Sequence, residues 1–233
     1  ETGAVSYLYY ADRIYQINLA IAGIAVSTVS LPVLSKTFKE KNLEKLSNIQ
    51  SKSFELSLLL SIPASFGLIL ASDEIVNALF GYGSFSQEDV RLTSDALRCF
   101  GYGVPAFALV KVLSNFFFAR DNTKTPFYIS IGIVVINVVI SVSLFSRFGF
   151  IIIPIATTIS TWIGVLIYIY SLNKRKSLML QIELIPNLFK ILLSSTFMAF
   201  ILVLTMKNYT SFLDYSNNYK AFYVISIVGF AGI

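Results

Sequence analysis

The sequence predicts an all-α fold, a polytopic transmembrane helical bundle with six full spans and one truncated span. Three observations lead to this prediction. Of the 233 residues, 55% are hydrophobic and only 13% are charged, about half of the ~25% that is usual in soluble domains. Apolar runs close to the ~20 residues needed to cross a membrane recur along the chain. The number of basic residues also alternates between high and low from one loop to the next.

The apolar runs are separated by short segments that hold most of the charged residues. They cover residues 3–34, 53–71, 92–119, 126–145, 150–170, 188–206 and 221–233. The first and third runs exceed the ~30 Å hydrocarbon core at ~1.5 Å per residue, so we expect these helices to tilt, bend or protrude. Proline lies inside or near the start of three runs, where we expect kinks whose freed carbonyl oxygens bind neighbouring groups. These prolines are Pro63, Pro105 and Pro154.

The loop charges predict the orientation of the chain in the membrane. Eleven basic residues follow the first, third and fifth runs, namely Lys36, Lys39, Lys41, Lys45, Lys52, Arg120, Lys124, Lys174, Arg175, Lys176 and Lys190. Four follow the other runs, namely Arg91, Arg147, Lys207 and Lys220. Since cytoplasmic loops are enriched in Lys and Arg, the first group is predicted to be cytoplasmic.

Composition excludes several kinds of chemistry. The chain has no histidine and one cysteine, Cys99, which excludes a disulfide, a Cys/His zinc site and Cys–His catalysis within it. The net charge of +5 follows from the loop asymmetry, so no nucleic-acid partner is predicted. The acidic residues of segment 72–91 are interpreted as a solvated face, and segment 36–52 as an amphipathic surface helix. The chain begins without Met and stops inside an apolar run, so we expect a fragment.

Charged side chains inside spans are the candidates for function, because they are costly in hydrocarbon. In the first run, a helical wheel places eight polar or small residues on one arc, which we call the polar stripe. It consists of Ser6, Tyr9, Arg13, Gln16, Ala20, Gly23, Ser27 and Ser30. Such a stripe is expected to face a protein interface or a water-filled cavity. Asp12 precedes Arg13 on a different side of the helix and need not pair with it. Alternatively, both charges are interfacial anchors.

A second cation lies in the third run. Lys111 is eight residues from the end of this run, and Ser114 and Asn115 project in nearby directions. Together, Arg13 and Lys111 suggest a cationic cavity that binds phosphate or another anion. The alternative is a lysine whose ammonium reaches the membrane surface.

Polar oxygens in the fourth and fifth runs offer a weaker signal. Asn137 and Ser141 lie one turn apart, and Thr157 belongs to a polar group in the next run. Hydroxyl and amide oxygens can bind a hard cation such as sodium. Hydrogen bonding between helices is the commoner use of such residues, so both interpretations stay open.

Three blocks of sequence resemble the MviN/MurJ family. Residues 3–13 (GAVSYLYYADR) resemble the opening of its eighth helix, and residues 31–35 (LPVLS) its end. Residues 110–113 (VKVL), leading to 118–126 (FARDNTKTP), are a third match. By this resemblance the chain is the C-terminal lobe of a fourteen-helix transporter, covering helices eight to fourteen with the last cut short. Residues 1–171 would be the second six-helix lobe without its first helix, and 172–233 two extra C-terminal helices.

The resemblance implies a function that composition does not show. The family flips lipid II, a polyprenyl-pyrophosphate-linked glycan, from the cytoplasmic to the periplasmic leaflet of the bacterial inner membrane, and has no enzymatic activity. Its last two helices line a groove for the lipid tail. Asp12, Arg13 and Gln16 match the charged part of the eighth helix, with the arginine in the cavity, although some members have glutamate at Gln16. The expected partners are the lipid-linked glycan, membrane lipid and the missing N-terminal lobe.

The resemblance also implies a sodium site, to which Asn137, Ser141 and Thr157 would correspond. A carboxylate expected near Ser141 is missing, and no other cofactor is expected. Two alternatives to lipid II transport are considered. The resemblance places the MviN/MurJ family in the multidrug/oligosaccharidyl-lipid/polysaccharide exporter superfamily, so one alternative is an exporter of another polyprenyl-linked glycan or of drugs from that superfamily. A membrane-embedded glycosyl- or phosphotransferase would need clustered carboxylates, whereas the cytoplasmic acids here are scattered.

Overall fold

The computed structural model describes residues 3–208 and 220–232, with the side chains of residues 225 and 228–232 left undescribed, and the segment 209–219 falls outside it. The described part is helical and contains ten α-helices. They are α1 (Ala4–Leu19), α2 (Val26–Lys39), α3 (Leu43–Leu70), α4 (Ser72–Phe80), α5 (Gln87–Gly101), α6 (Val104–Phe118), α7 (Lys124–Phe148), α8 (Ile152–Lys174), α9 (Leu184–Asn208) and α10 (Lys220–Gly232). A π-helical segment, Ala20–Ala25, joins α1 to α2 without interruption.

Four helical stretches are long and apolar enough to cross a membrane, and the bent pair α5–α6 makes a fifth. They are Ala4–Lys39, Leu43–Leu70, Lys124–Lys174 and Leu184–Asn208. The 51 residues of Lys124–Lys174 would extend about 75 Å at ~1.5 Å per residue, far beyond one ~30 Å crossing. This stretch folds back at Gly149, where φ is +61°. It therefore contains two antiparallel crossings, which gives the six full spans that the sequence predicts.

The two helices of this hairpin pack closely. Asn137 of α7 donates a hydrogen bond to Thr157 of α8, and Tyr168 of α8 donates one to the carbonyl oxygen of Pro126, near the start of α7. Between these contacts, a Cβ atom on Gly164 would lie 2.6 Å from Ile133 Cγ1. A side chain at position 164 would therefore require Ile133 to change its conformation.

The predicted cytoplasmic segments meet at one end of the bundle. The Arg120 guanidinium, just after α6, lies 5.3 Å above the Phe38 ring near the end of α2. It also donates a hydrogen bond to the carbonyl oxygen of Ser177, in the α8–α9 linker. At the opposite end, Tyr7 of α1 donates a 2.6 Å hydrogen bond to Asp89 of α5. These contacts agree with the alternation of loops that the charge pattern predicts.

A break in the third span occurs where the sequence predicts a kink. Helices α5 and α6 meet at an angle of 42°, with Pro105 in the first turn of α6. Because proline has no N–H, the carbonyl oxygen of Gly101 lacks its helical donor. Ser65 of α3 supplies a replacement through a 2.7 Å hydrogen bond from Oγ to this oxygen.

Helix α8 binds two more carbonyl oxygens at the break. Thr158 donates to the carbonyl oxygen of Cys99 at 2.9 Å, and the Trp162 indole N–H donates to that of Tyr102 at 3.1 Å. In hydrocarbon, broken helices are tolerated where neighbours satisfy the freed backbone groups. The bend is therefore fixed by side chains on two neighbouring helices.

One prediction on the loops is wrong, and one short helix was not predicted. The amphipathic surface helix predicted for segment 36–52 does not form, because α2 continues to Lys39 and α3 begins at Leu43. Asn42 caps α3 by accepting a hydrogen bond from the backbone N–H of Lys45, so the lysines belong to the ends of two long helices. Segment 72–91 also contains the short helix α4, which the sequence analysis missed.

The break offers a direct test of how much a hydrogen-bond donor to a freed carbonyl oxygen contributes to the stability of the fold. Ser65→Ala leaves the Gly101 carbonyl oxygen without its donor, so we expect it to lower the free energy of unfolding by about 1 kcal/mol. Ser57→Ala is the matched control, since Ser57 lies on the same helix and its buried hydroxyl has no partner within the described residues. Thermal unfolding of the full-length protein in detergent measures both. Equal effects of the two substitutions would contradict the role given to Ser65.

Candidate functional site

Arg13 lies on the outward-facing side of α1. Its side chain is exposed, and its guanidinium lies 4.7 Å above the ring of Tyr9. Asp12 instead accepts a hydrogen bond from Gln16, so Asp12 and Arg13 do not pair, as the helical wheel indicates. Within residues 3–208 and 220–232, Arg13 forms no ion pair. The cation is therefore available to an anion from outside this chain.

The polar stripe is divided into two parts. Ser6, Tyr9, Arg13, Gln16 and Ala20 are exposed. The three remaining residues lie in or beyond the π-helical segment and pack against α6. They are Gly23, Ser27 and Ser30. The sequence analysis treated all eight as one surface, because a wheel gives the direction of a side chain and not which neighbour covers it.

Gly23 permits the close approach of α6. A Cβ atom at this position would lie 3.2 Å from Ala108 Cα and 3.5 Å from Lys111 Cγ. Ser27 donates a 3.0 Å hydrogen bond to the carbonyl oxygen of Lys111. The alkyl chain of Lys111 thus packs at the level of Gly23, while the side chain as a whole stays exposed.

Asn115 has a different environment from Lys111, one turn away. It is 5% exposed, and its amide nitrogen donates to the carbonyl oxygen of Ser27 at 2.6 Å. The same nitrogen lies 3.5 Å from Ser30 Oγ. Asn115 therefore connects α6 to α2, and its amide does not project from the exposed surface that carries Arg13.

The structure does not bring Arg13 and Lys111 together. Lys111 packs beside Gly23, which follows Arg13 by ten residues, or about 15 Å along a helix. The two cations therefore lie at different depths of the bundle. Arg13 is nearer the end that carries Tyr7 and Asp89, and Lys111 nearer the basic end.

An apolar groove is lined in part by the residues of α1 that follow Arg13. It has a volume of about 350 Å³ and is lined by residues of α1, α3, α4 and α9. Ile14 and Ile17 form its wall on α1, and Met198 and Leu202 its wall on α9. A second groove of about 440 Å³ lies between the π segment, α2 and α3. Both grooves are thus lined by residues of the same continuous helix that carries Arg13.

Asn137, Ser141 and Thr157 do come together. Ser141 donates to Asn137 Oδ1 at 3.3 Å, and Asn137 Nδ2 donates to Thr157 Oγ1 at 2.8 Å. Thr157 in turn donates to the carbonyl oxygen of Ile153. Each group already has a partner. In the described part of the chain, no three His, Cys, Asp or Glu side chains converge in a way that could hold a metal. These contacts fit interhelical hydrogen bonding better than a sodium site, and sodium binding stays a prediction.

The acidic residues of segment 72–91 have structural partners. Asp73 forms a 2.7 Å ion pair with Arg98, and Glu88 pairs with Arg91. Asp89 accepts hydrogen bonds from Ser86 and Tyr7. Burial raises the pKa of Glu74, which begins the short helix α4. Asp73 and Glu88 are exposed, as the interpretation of a solvated face requires, whereas Glu74 and Asp89 are partly buried.

Sequence analysis missed several polar contacts that hold the helix ends. Gln50, Arg120 and Lys220 each bind backbone carbonyl oxygens of a distant segment. Lys220 is a loop cation in the charge pattern but is 1% exposed in the structure. No sequence signal identifies such contacts, because the acceptors are main-chain atoms that every residue possesses.

Long apolar helices, a crossing broken at proline and an exposed cation within a span are the features of a polytopic α-helical membrane protein. A family model described as lipid II flippase MurJ matches residues 1–220. A probable lipid II flippase MurJ of Rickettsia prowazekii (strain Madrid E) is 39% identical over 214 residues, 91% of this chain and 42% of that protein. The corresponding protein of Rhizobium meliloti (strain 1021) is 36% identical over 85% of this chain and 37% of its own length.

A solved structure agrees with these matches. A lipid II flippase MurJ in an inward closed conformation superposes with a TM-score of 0.82 at 28% identity, covering 99% of this chain and 46% of that one. The chain belongs to the MurJ family and is a multi-pass protein of the bacterial inner membrane. It spans less than half of the length of the curated relatives it matches.

The hydrogen-bonded cluster of α7 and α8 can be distinguished from a sodium site by experiment. Asn137→Ala removes both of its amide contacts, so we expect a loss of about 1–2 kcal/mol in unfolding free energy whether the buffer contains sodium or choline. Thermal unfolding in the two salts measures it. A stabilisation seen in sodium alone and abolished by Asn137→Ala would instead show that the cluster binds the ion.

Proposed function

We propose that the chain is the C-terminal half of a transporter that flips lipid II from the cytoplasmic to the periplasmic leaflet by alternating access. The names of its relatives support this substrate. The observation that carries the proposal is the exposed, unpaired Arg13 on a membrane-spanning helix. An arginine within a membrane-spanning helix is costly and is therefore rare outside functional sites. Such a cost points to a visiting ligand that uses the charge.

Arginine suits the pyrophosphate of a polyprenyl-linked glycan. Its guanidinium presents a planar set of donors that can bind two phosphate oxygens at once. Tyr9 lies against one face of the guanidinium and leaves the edge donors free to bind the ligand. Gln16 donates a hydrogen bond to Asp12, so the carboxylate contacts the Gln16 amide and does not neutralise the cation.

Lys111 is the second cation of the proposed pathway. It lies nearer the basic, cytoplasmic end than Arg13, so an anionic headgroup meets Lys111 first and Arg13 afterwards. The apolar groove between α1, α3 and α9 provides apolar surface for a lipid tail while the headgroup passes. This order makes Lys111 and Arg13 successive contacts rather than one binding site.

The lobe organisation is part of the proposal. Helices α1–α8 correspond to the second six-helix lobe without its first helix, over residues 1–171, and α9 and α10 to the extra C-terminal helices of 172–233. The partner lobe belongs to the part of the relatives that this chain does not cover. The step is movement across the bilayer without covalent change, so no enzymatic activity is proposed. Membrane lipid surrounds the bundle.

An exporter of another polyprenyl-linked glycan makes a different prediction from a lipid II flippase. Depletion of the full-length protein should cause lipid II to accumulate in the cytoplasmic leaflet, which accessibility of the headgroup to a periplasmic enzyme can measure. Accumulation of a different lipid-linked glycan would show that the protein transports that glycan instead of lipid II. The proposal that the protein is a transporter would be unchanged.

Arg13→Ala in the full-length protein tests the central residue. Loss of a charge-assisted contact of about 1.5–3 kcal/mol corresponds to a transport rate lowered about tenfold to 100-fold. We expect this loss, with normal membrane insertion, in a complementation assay and in a lipid II flipping assay.

Arg91→Ala is the matched control. Arg91 is an exposed arginine paired only with Glu88 at the surface, and such pairs contribute about 0–1 kcal/mol. It should transport at the wild-type rate. Wild-type transport by Arg13→Ala would exclude Arg13 from the substrate pathway.

A further inference from the structure

The α8–α9 linker is attached to α3 by side chains that bind its backbone. Residues 177–181, which we call the strap, lie between α8 and α9 at the basic end of the bundle. Gln50 of α3 is fully buried and uses both ends of its amide. Its Nε2 donates to the carbonyl oxygen of Ser177 at 3.2 Å, and its Oε1 accepts from the N–H of Met179 at 2.9 Å.

Two neighbouring side chains extend this attachment. Ser51 Oγ accepts a 2.8 Å hydrogen bond from the N–H of Gln181, so alternate residues of the strap face α3. Arg120 donates to the carbonyl oxygen of Ser177 at 2.8 Å and to that of Phe116 at 2.6 Å. The strap is therefore fixed to α3 and α6 before α9 begins.

The opposite end of the α9–α10 pair is held by a buried lysine. Lys220 Nζ, at the start of α10, donates to the carbonyl oxygen of Gly81 at 2.6 Å and to Asn77 Oδ1 at 2.9 Å. It lies 4.3 Å from the centre of the Tyr82 ring. These acceptors surround the C-terminal end of α4, where the helix dipole favours a cation. These partners offset the cost of burying the ammonium and so hold Lys220 in this position.

Resting on the proposed function, we infer that Gln50 and Lys220 are positioning residues that clamp α9 and α10 to the lobe at opposite membrane faces, so that the α9 wall of the apolar groove moves with α1 and α3 during transport. Met198 and Leu202 form this wall and lie between the two clamps. The groove therefore keeps its width, and α9 does not swing away to admit a lipid tail.

A reversible cross-link across the strap tests the inference. In a Cys99→Ser background of the full-length protein, Ser51→Cys with Gln181→Cys places two thiols where Ser51 Oγ contacts the Gln181 backbone. We expect copper–phenanthroline to form the disulfide and the oxidised protein to flip lipid II within twofold of the reduced protein. A tenfold or greater loss on oxidation, restored by dithiothreitol, would overturn the inference. So would failure of the disulfide to form.

A second measurement addresses the clamps themselves. We expect Gln50→Leu and Lys220→Met each to increase the rate at which a maleimide labels Met198→Cys by about tenfold, because the α9 wall loosens. Lys207→Met is the matched control, since Lys207 is an exposed lysine near the end of α9. In this variant, the rate at which the maleimide labels Met198→Cys should not change. Equal labelling of all variants would overturn the inference.

The two measurements separate this inference from the proposed function. A reduced wild-type protein that flips no lipid II would refute the proposed function and, with it, the transport role of the clamps. The labelling rates do not depend on lipid II, so they would still show whether Gln50 and Lys220 hold α9 in place.

Discussion

The structure depends on one constraint, which is that backbone polar groups inside a membrane need hydrogen-bond partners from the protein itself. The break between α5 and α6 shows it most clearly. Pro105 removes the donor for the Gly101 carbonyl oxygen, and Ser65 replaces it. Thr158 and Trp162 bind the neighbouring carbonyl oxygens. The position of α3 and α8 around the break is therefore set by the oxygens that the bend exposes.

The same constraint explains why Asn115 and Lys111 differ although they lie one turn apart. Asn115 faces α2 and donates to the Ser27 carbonyl oxygen, which makes it part of the packing. Lys111 faces outward, and only its backbone oxygen binds Ser27. An amide can be both donor and acceptor within a helix interface, whereas an ammonium keeps its charge and needs water or an anion. The chemistry of each side chain and the direction in which it projects therefore determine whether it packs between helices or stays exposed.

The number of spans, their order and the ends at which the loops lie could be predicted, because run length and loop charge can be read directly from the order of residues along the chain. The kink at Pro105 could be predicted because proline lacks a donor. The strap, α4 and the division of the polar stripe could not. Gln50 and Ser51 bind main-chain atoms of a segment more than 120 positions away, and periodicity contains no information on such pairings. The contact of Asn115 with α2 could not be predicted either, because a wheel does not show which helix covers that side of α6.

Arg13 and Lys220 show how two costly cations are distinguished. Lys220 is buried, and two oxygens and the Tyr82 ring surround its ammonium, so its charge stabilises the fold. Arg13 has a tyrosine ring on one face. It forms no ion pair with an acidic side chain within the described residues. If both charges only stabilised the bundle, both would be enclosed by protein acceptors. The open edge of Arg13, on the helix that also forms one wall of an apolar groove, suits a ligand with an anionic headgroup and an apolar tail.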